Sequence, residues 1–361
     1  MKVFLTGGTG FIGQPLTKAI LARGWEVVAL VRKPDSPQAH VLKKMGVQCV
    51  PGDVTDRESM RAGMIGADIV VHNAAWYEMG ITKQAQKLMQ TINVTGTDNV
   101  LGLALELGIS RTVYVSSTLY YGDTGPEPRD ETYRRQKPYH FYYEQTKTEA
   151  HEIARQYRQR GLPLIIICPA QVLGANDHSV FGYFLRLYLN RLMVPFAFSP
   201  EMMFAPVHVN DAGEGIALAA EKGGLGETYI LAGDPMSMRQ VFEIWNGKPG
   251  GFKVRFYIPR WLAALLFAPL EPWQRLAGLP AFISRETVEA SSLSYNFSSA
   301  KAQRELGWTY RPAGEMWSSI IEEESKLLAG RQKRDLLSRL KPVQPDNNRP
   351  VWAGLARVQT D

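Results

Sequence analysis

The chain has 361 residues, 45% of them apolar and 21% charged, with a formal net charge of +6; this excludes a disordered or fibrous chain and suits one large α/β unit with an appended region. Seven Lys/Arg against three Asp fall in the last 31 residues, so the tail carries +4 and the body +2, which argues against a nucleic-acid partner. No apolar run reaches the ~20 residues of a membrane-spanning helix, and a strand starting at Lys2 leaves no room for a signal peptide.

The first stretch, KVFLTGGTGFIG at residues 2–13, is an apolar run that ends in the spacing G-x-x-G-x-x-G and opens a helix. In that context Gly7 permits a tight turn, Gly10 lets backbone approach a pyrophosphate, and Gly13 lets helix pack on strand. The helix N-terminus adds unpaired N–H groups and partial positive charge. A plain strand-to-helix corner is the alternative reading of the turn alone.

The periodicity predicts a helix from Gln14 to Arg23, ended by Gly24, then a buried strand from Trp25 to Val31. An NAD-selective fold usually places Asp or Glu after this strand for the ribose 2′-hydroxyl. Here Arg32 and Lys33 follow instead, and two cations favour a 2′-phosphate; NADP is preferred over NAD. The stretch 47–56 delivers Asp53 and Val54, placed to border an adenine. Residues 66–72 read as another buried strand, followed by Asn73, Ala74 and Ala75, small enough for close approach of a cofactor. His72 reads as a structural histidine at a strand end.

Residues 84–107 read as a helix containing Asn93, and Arg111 to Ser116 as a strand with Ser117 and Thr118 at its carboxyl end. Leu119 to Phe141 is loop-like; Tyr142 to Gln159 is a long helix, and Leu162 to Cys168 a strand. This alternation predicts a Rossmann-type, doubly wound parallel sheet. Pro169 to Val209 reads as irregular and aromatic, before a helix over Asp211–Ala220 and a strand over Tyr229–Leu231. Residues 237–329 read as mainly helical around a strand near Lys253–Tyr257. The expected division is 1–169 with 211–232 for the cofactor, and 170–210 with 233–329 as a smaller substrate-binding region. A basic, poorly ordered tail is expected over 330–361. The stretch Trp261–Leu270 reads as a core or lid helix, with membrane-surface docking as the alternative. Cys49 and Cys168 are far apart, without metal or redox spacing, and read as buried thiols of a cytoplasmic protein.

Ser117, Tyr143 and Lys147 form the chemical constellation. Tyr143 and Lys147 are four apart, on one helix face. A tyrosine of pKa ~10 is a poor acid–base group at neutral pH, and a nearby cation lowers it by stabilising the phenolate. A strand-end hydroxyl such as Ser117 can hold a substrate oxygen beside that phenol. Tyr139 and Tyr142 have no lysine four residues on.

Taken with TGGTGFIG at 6–13, GDVTD at 52–56, HNAA at 72–75, NVTGT at 93–97, VYVSSTLYYGD at 113–123, CPAQVLGAND at 168–177, VHVNDAGEGIALA at 207–219 and FSSAKAQRELGW at 297–308, these residues give the chain its family likeness. It resembles the extended short-chain dehydrogenase/reductases, or NAD-dependent epimerase/dehydratase family, over roughly residues 2–325, in particular their dihydroflavonol reductase-like and hydroxysteroid dehydrogenase-like branches. The resemblance implies that Gly7, Thr9, Gly10, Phe11, Ile12 and Gly13 hold the cofactor's pyrophosphate end, and Arg32 and Lys33 a 2′-phosphate. It assigns the adenine to Asp53 and Val54, the cofactor's middle to Ala74 and Ala75, and the nicotinamide wall to Pro169 through Val172. Tyr143 would be the acid–base, with Lys147 lowering its pKa and contacting the nicotinamide ribose. Ser117 would be the catalytic serine (Thr118 if the register shifts by one), and Asn93 an organiser of water or backbone. A homodimer through the helices of Asn93 and Tyr143 is a family expectation. Cys168 departs from the arginine that many members carry before the proline.

Three functions follow from these residues. In the first, NADPH reduces a ketone or aldehyde of a small apolar or aromatic substrate, favoured by Arg32-Lys33 and by Trp76, Tyr77, Tyr120, Tyr121, Phe181, Tyr183 and Phe184. In the second, a nucleotide-sugar is epimerised on tightly held NAD, which would call for arginines such as Arg186, Arg191, Arg239 or Arg255, each expected at the surface. In the third, the fold binds cofactor without chemistry, a reading that the retained Ser117, Tyr143 and Lys147 disfavour.

Overall fold

A computed structural model describes residues 1–79, 81–248, 253–276 and 282–329; the 330–361 tail lies outside them. The first half alternates strand and helix, with α2 and α3 where the sequence reading placed no helix: β1 (Lys2–Thr6), α1 (Gly13–Ala22), β2 (Glu26–Val31), α2 (Pro37–Lys44), β3 (Gln48–Pro51), α3 (Arg57–Met64), β4 (Ile69–His72), α4 (Lys83–Gln90), α5 (Gly96–Glu106), β5 (Arg111–Val115), α6 (Tyr142–Gln159) and β6 (Leu164–Pro169). Then follow β7 (Val172–Leu173), α7 (Val180–Leu189), β8 (Phe196–Ala197), β9 (Met203–Phe204), β10 (Val207–His208), α8 (Val209–Lys222), β11 (Thr228–Leu231), β12 (Met236–Ser237), α9 (Met238–Asn246) and β13 (Phe256–Tyr257). The last elements are α10 (Arg260–Phe267), α11 (Leu270–Leu276), α12 (Arg285–Ala290), α13 (Ala300–Leu306) and α14 (Ala313–Ala329).

Seven strands form one parallel sheet in the order β11-β6-β5-β4-β1-β2-β3. The two-residue period of a strand divides β1 between two cores. Val3 and Leu5 pack with Leu16 and Ile20 of α1 and Ile216 of α8, whereas Phe4 faces Met60 of α3, Leu101 of α5 and Ala154 of α6. The near-continuous apolar runs of β4 and β6 are those of strands covered on both faces. From β1 the chain builds outward to β3 and then returns to place β4 on the other side. The order therefore switches between β1 and β4, and a ligand crevice opens beyond their carboxyl ends.

Two departures from the sequence reading have physical causes. Residues 84–107 are helical, but a π-helical segment, Thr91–Thr95, lies between α4 and α5; its wider turn re-aims Asn93 inward. The stretch read as irregular, Pro169–Val209, contains the ten-residue helix α7, capped by Ser179 Oγ accepting from Phe181 N–H at 3.2 Å. Its sequence VFGYFLRLYL holds a single charged residue, Arg186, so it lacks the polar face that marks a surface helix. A third core joins α7 to α9 and α14 through Leu185, Tyr188, Trp245 and Trp317. A buried ion pair, Arg186 to Glu324 at 3.5 Å, adds to that junction.

Candidate active site

The crevice at the switch point is one cavity of about 2470 Å³, larger than the ~300–1,000 Å³ of an ordinary small-molecule site. Its floor is the glycine turn. Gly7 has φ +74°, and a Cβ there would lie 2.7 Å from the Ala74 nitrogen, so only glycine fits between β1 and β4. At Gly13 a Cβ would fall 2.0 Å from the Gly7 carbonyl oxygen, so α1 can start this close to the turn only without a side chain. Thr9, Gly10, Phe11 and Ile12 line the cavity, while Gly13 supports the turn from behind. This cradle fits a dinucleotide: bare backbone faces the crevice at a helix start, where a pyrophosphate finds N–H donors.

Arg32, Lys33, Asp53, Val54, Ala74, Ala75, Pro169 and Val172 share the same wall. Arg32 and Lys33 are exposed at the end of β2. Asp35, the nearest acid in sequence, faces Lys43 at 3.9 Å instead. The sequence reading missed the neighbouring start of α2, where Ser36, Pro37 and Gln38 also line the cavity. The signal was present in Ser36-Pro37, a cap followed by proline at the first helical position; Ser36 Oγ accepts from Ala39 N–H at 3.2 Å. The Asp53 carboxylate accepts from Thr55 N–H and Oγ1, both at 2.9 Å, which fixes the turn that presents Val54.

Ser117, Thr118 and Tyr143 line the cavity where β5 ends and α6 begins. Ser117 Oγ accepts from Leu119 N–H at 3.2 Å, leaving its proton to donate elsewhere. The Tyr143 ring packs edge-on to Tyr77 at 4.9 Å. Lys147 is 3% exposed and stands behind the wall. Its Nζ donates to the Val115 carbonyl at 3.0 Å and lies 5.4 Å from the Tyr114 ring centroid. Burial brings this ammonium down to about 8. The expectation of a lowered phenol pKa is not met by the polypeptide alone: burial pushes Tyr143 above its ordinary value.

Asn93 is buried and does not touch the cavity. Its Oδ1 accepts from Trp76 N–H at 2.7 Å, and its Nδ2 donates to Trp76 O at 2.9 Å and Thr146 Oγ1 at 3.1 Å. Asn93 therefore ties the loop after β4 to the helix that carries Tyr143. His72 completes the brace. Thr97 Oγ1 donates to Asn93 O at 2.7 Å, so it accepts from His72 Nε2 at 3.1 Å, and His72 Nδ1 in turn accepts from Thr6 Oγ1 at 2.7 Å. The imidazole is fully buried and held down to about 3 by that burial, hence neutral. It is structural, as the sequence indicates.

The aromatic group divides. Trp76, Tyr77, Phe181 and Phe184 line the cavity, whereas Tyr121 and Tyr183 are core residues and Tyr120 stacks on His151 at 3.6 Å. Phe196 and Phe198, from the stretch read as irregular and aromatic, also reach the wall, as do Phe242, Trp245 and Phe282, which the sequence did not single out. Among the described residues the lysines and arginine of the wall are Lys18, Arg32 and Lys33, all at the glycine-turn end. Arg186 is buried against Glu324 rather than at the surface, Arg239 pairs with Glu201 at 2.7 Å, and Arg191 and Arg255 are exposed. None of the four lines the cavity. Of the two thiols, Cys168 is buried and pushed up to about 12 by desolvation, while Cys49 is only half-buried.

The chain is similar to known proteins over most of its length. The NAD-dependent epimerase/dehydratase family model matches residues 3–232. A 4-hydroxy-2-methyl-3-oxo-4-farnesyl-3,4-dihydroquinoline-1-oxide ketoreductase of Stigmatella aurantiaca is 29% identical over 320 residues, 86% of this chain and 92% of that protein. A putative dihydroflavonol 4-reductase of a Synechocystis species is 30% identical, over 84% of this chain and 89% of that protein. The crystal structure of gox2253 superposes with a TM-score of 0.75 at 28% identity, covering 92% of this chain and 99% of that one.

Proposed function

Because the chain belongs to the NAD-dependent epimerase/dehydratase family and is thus an NAD(P)-dependent oxidoreductase, we propose that it reduces a ketone or aldehyde of an apolar substrate with NADPH. The observation that carries this reading is the division of the cavity. Its lysines and arginine sit at the glycine-turn end, and its far end is lined by Phe181, Phe184, Met193, Phe196, Phe242 and Trp245. A nucleotide-sugar diphosphate buried in that half would be left without a guanidinium or ammonium partner among the described residues. A flat or aliphatic ketone would be well matched. The relative named for a farnesyl-bearing ketone points the same way.

In this reading, residues 1–169 and 211–232 hold the cofactor, and 170–210 with 233–329 cover the substrate. Arg32, Lys33 and the N-terminus of α2 take the 2′-phosphate, which selects NADP. The reduced nicotinamide supplies the hydride when bound. Ser117 donates a hydrogen bond to the substrate oxygen and orients it toward Tyr143. Burial keeps the Tyr143 phenol protonated at neutral pH, so it can give its proton to the oxygen as negative charge develops there. The Lys147 cation, one turn further along α6, stabilises the phenolate left behind. Asn93 positions the Trp76 backbone at the edge of the same space.

Tyr143→Phe should lower NADPH-dependent ketone reduction by about 10³-fold while the affinity for NADP stays within twofold of wild type. Turnover retained in that variant would refute the assigned acid.

A further inference from the structure

The exposed apolar surface of this protein is concentrated in one place. Thirteen large apolar side chains are exposed among the described residues, and seven of them lie in residues 256–276, where an even scatter would put about one. Trp261 is 69% exposed, Leu265 65%, Trp273 70% and Leu276 81%. Helix α10 is inverted relative to an ordinary surface helix: it buries Ala263 and Phe267 and turns Trp261 and Leu265 to solvent. Single exposed leucines need no explanation, but a run of this density does.

Two further observations say what covers it. The patch is continuous with the cavity mouth, since Leu266 and Leu270 are exposed and also line the cavity, as do Leu192 and Val194 from the segment after α7. The patch is also cationic at its border. Lys253, Arg255 and Arg260 are exposed, and the sequence from 253 to 276 holds four Lys/Arg against one Glu. Apolar side chains with two tryptophans, rimmed by cations, match the acyl–headgroup boundary of an anionic bilayer. No helix among the described residues is long and apolar enough to cross a membrane, so the contact would lie in the interface plane.

We propose that residues 253–276 are a membrane-docking face that seats α10 and α11 in an anionic lipid surface and turns the cavity mouth toward the acyl chains. An apolar ligand could then pass between bilayer and cavity without crossing water. The proposal does not depend on which reaction the site performs.

Co-sedimentation of the full chain with vesicles of phosphatidylcholine alone, or mixed with phosphatidylglycerol, tests it. Binding should require phosphatidylglycerol and weaken as salt rises. The double variant Leu265→Ser/Leu276→Ser, neither residue being part of the cavity wall, should lower partitioning about tenfold with circular dichroism and NADP affinity unchanged. Should that variant misfold, quenching of tryptophan emission by brominated lipid, lost in Trp261→Phe/Trp273→Phe, decides the matter. Three results would overturn the proposal. One is absence of binding to either vesicle. Another is binding that the folded double variant retains in full, which would assign the affinity elsewhere, such as to the basic tail. The third is concentration-dependent self-association abolished by the same substitutions, which would make the occupant a second copy of the chain.

Discussion

Gly10 and Gly13 should separate stability from cofactor affinity. In Gly13→Ala the new methyl would lie 2.0 Å from the Gly7 oxygen and 2.7 Å from the Gly8 carbonyl carbon and oxygen. All three obstacles are backbone atoms of the turn, so α1 must withdraw from β1. Overpacking against groups that cannot rotate away belongs at the upper end of its usual cost, about 3 kcal/mol, which lowers the melting temperature of a unit this size by roughly 4 °C. In Gly10→Ala the nearest atom is the Gly7 oxygen at 3.2 Å, and φ is not in the left-handed region. That slight crowding is offset by ~0.4–1 kcal/mol from the lower entropy of the unfolded chain, so the melting temperature should hold. The Gly10 methyl nonetheless enters the cavity wall where a pyrophosphate would rest, and NADP affinity should fall at least about tenfold. Differential scanning calorimetry and a fluorescence titration on both variants read the two effects. If Gly10→Ala melts like Gly13→Ala, or binds NADP like wild type, the placement of the dinucleotide over Gly10 is wrong.

Lys147 predicts a pH dependence. Its folded pKa is lowered from 10.5 to about 8 by burial, so between those values the native state binds fewer protons than the unfolded one, and its contribution to stability rises with pH. Below about pH 8 the buried ammonium costs up to about 3 kcal/mol. Urea melts should therefore show wild type gaining about 2 kcal/mol on Lys147→Met between pH 7.5 and 10; a constant difference across that range would contradict the assignment. Arg32→Ala/Lys33→Ala should weaken NADP about tenfold and leave NAD within twofold, with equal losses for both cofactors as the opposing result. Glu324→Gln leaves Arg186 opposite a neutral group in the third core and should cost about 3 kcal/mol by thermal unfolding; a change under about 0.5 kcal/mol would show that the pair at 3.5 Å carries no stability.

The sheet was legible because its signals are local. Each buried strand is a short apolar run, Gly24 stops α1, and the first glycines and the Tyr143/Lys147 pair are fixed by spacing along a single turn or helix. The Rossmann-type order and the ends of α6, Tyr142 and Gln159, follow from that. What stayed hidden depends on distant partners. Helix α7 presents no exposed polar face, because Phe181 and Phe184 meet the cavity and Leu185 and Tyr188 the core with α9 and α14, and α2 is short and weakly patterned, visible only through its Ser36-Pro37 start. The π-helical segment leaves no mark in an otherwise helical sequence, yet it decides that Asn93 meets Trp76. Tyr120, Tyr121 and Tyr183 could not be told from cavity aromatics, because an aromatic side chain satisfies a core and a ligand wall equally well.

The same limit applies to charge, and here the structure adds the most. Arginine content alone gave four candidates for a diphosphate, and a guanidinium can be paired in a core, paired on the surface or exposed to solvent. Arg186 takes the first course, Arg239 the second, and Arg191 and Arg255 stand exposed. Among the described residues the cavity thus keeps lysine and arginine only at its glycine-turn end, Lys18 from α1 and Arg32 and Lys33 from the end of β2. Its other end is built by α7, α9 and the β8–β13 segment from side chains that offer no counter-charge. A substrate with a single reactive oxygen, offered to Ser117 and Tyr143 and otherwise apolar, would need no cationic partner in that half. A second diphosphate would have to shed its water there with nothing in return, at a desolvation cost of several kcal/mol per ion.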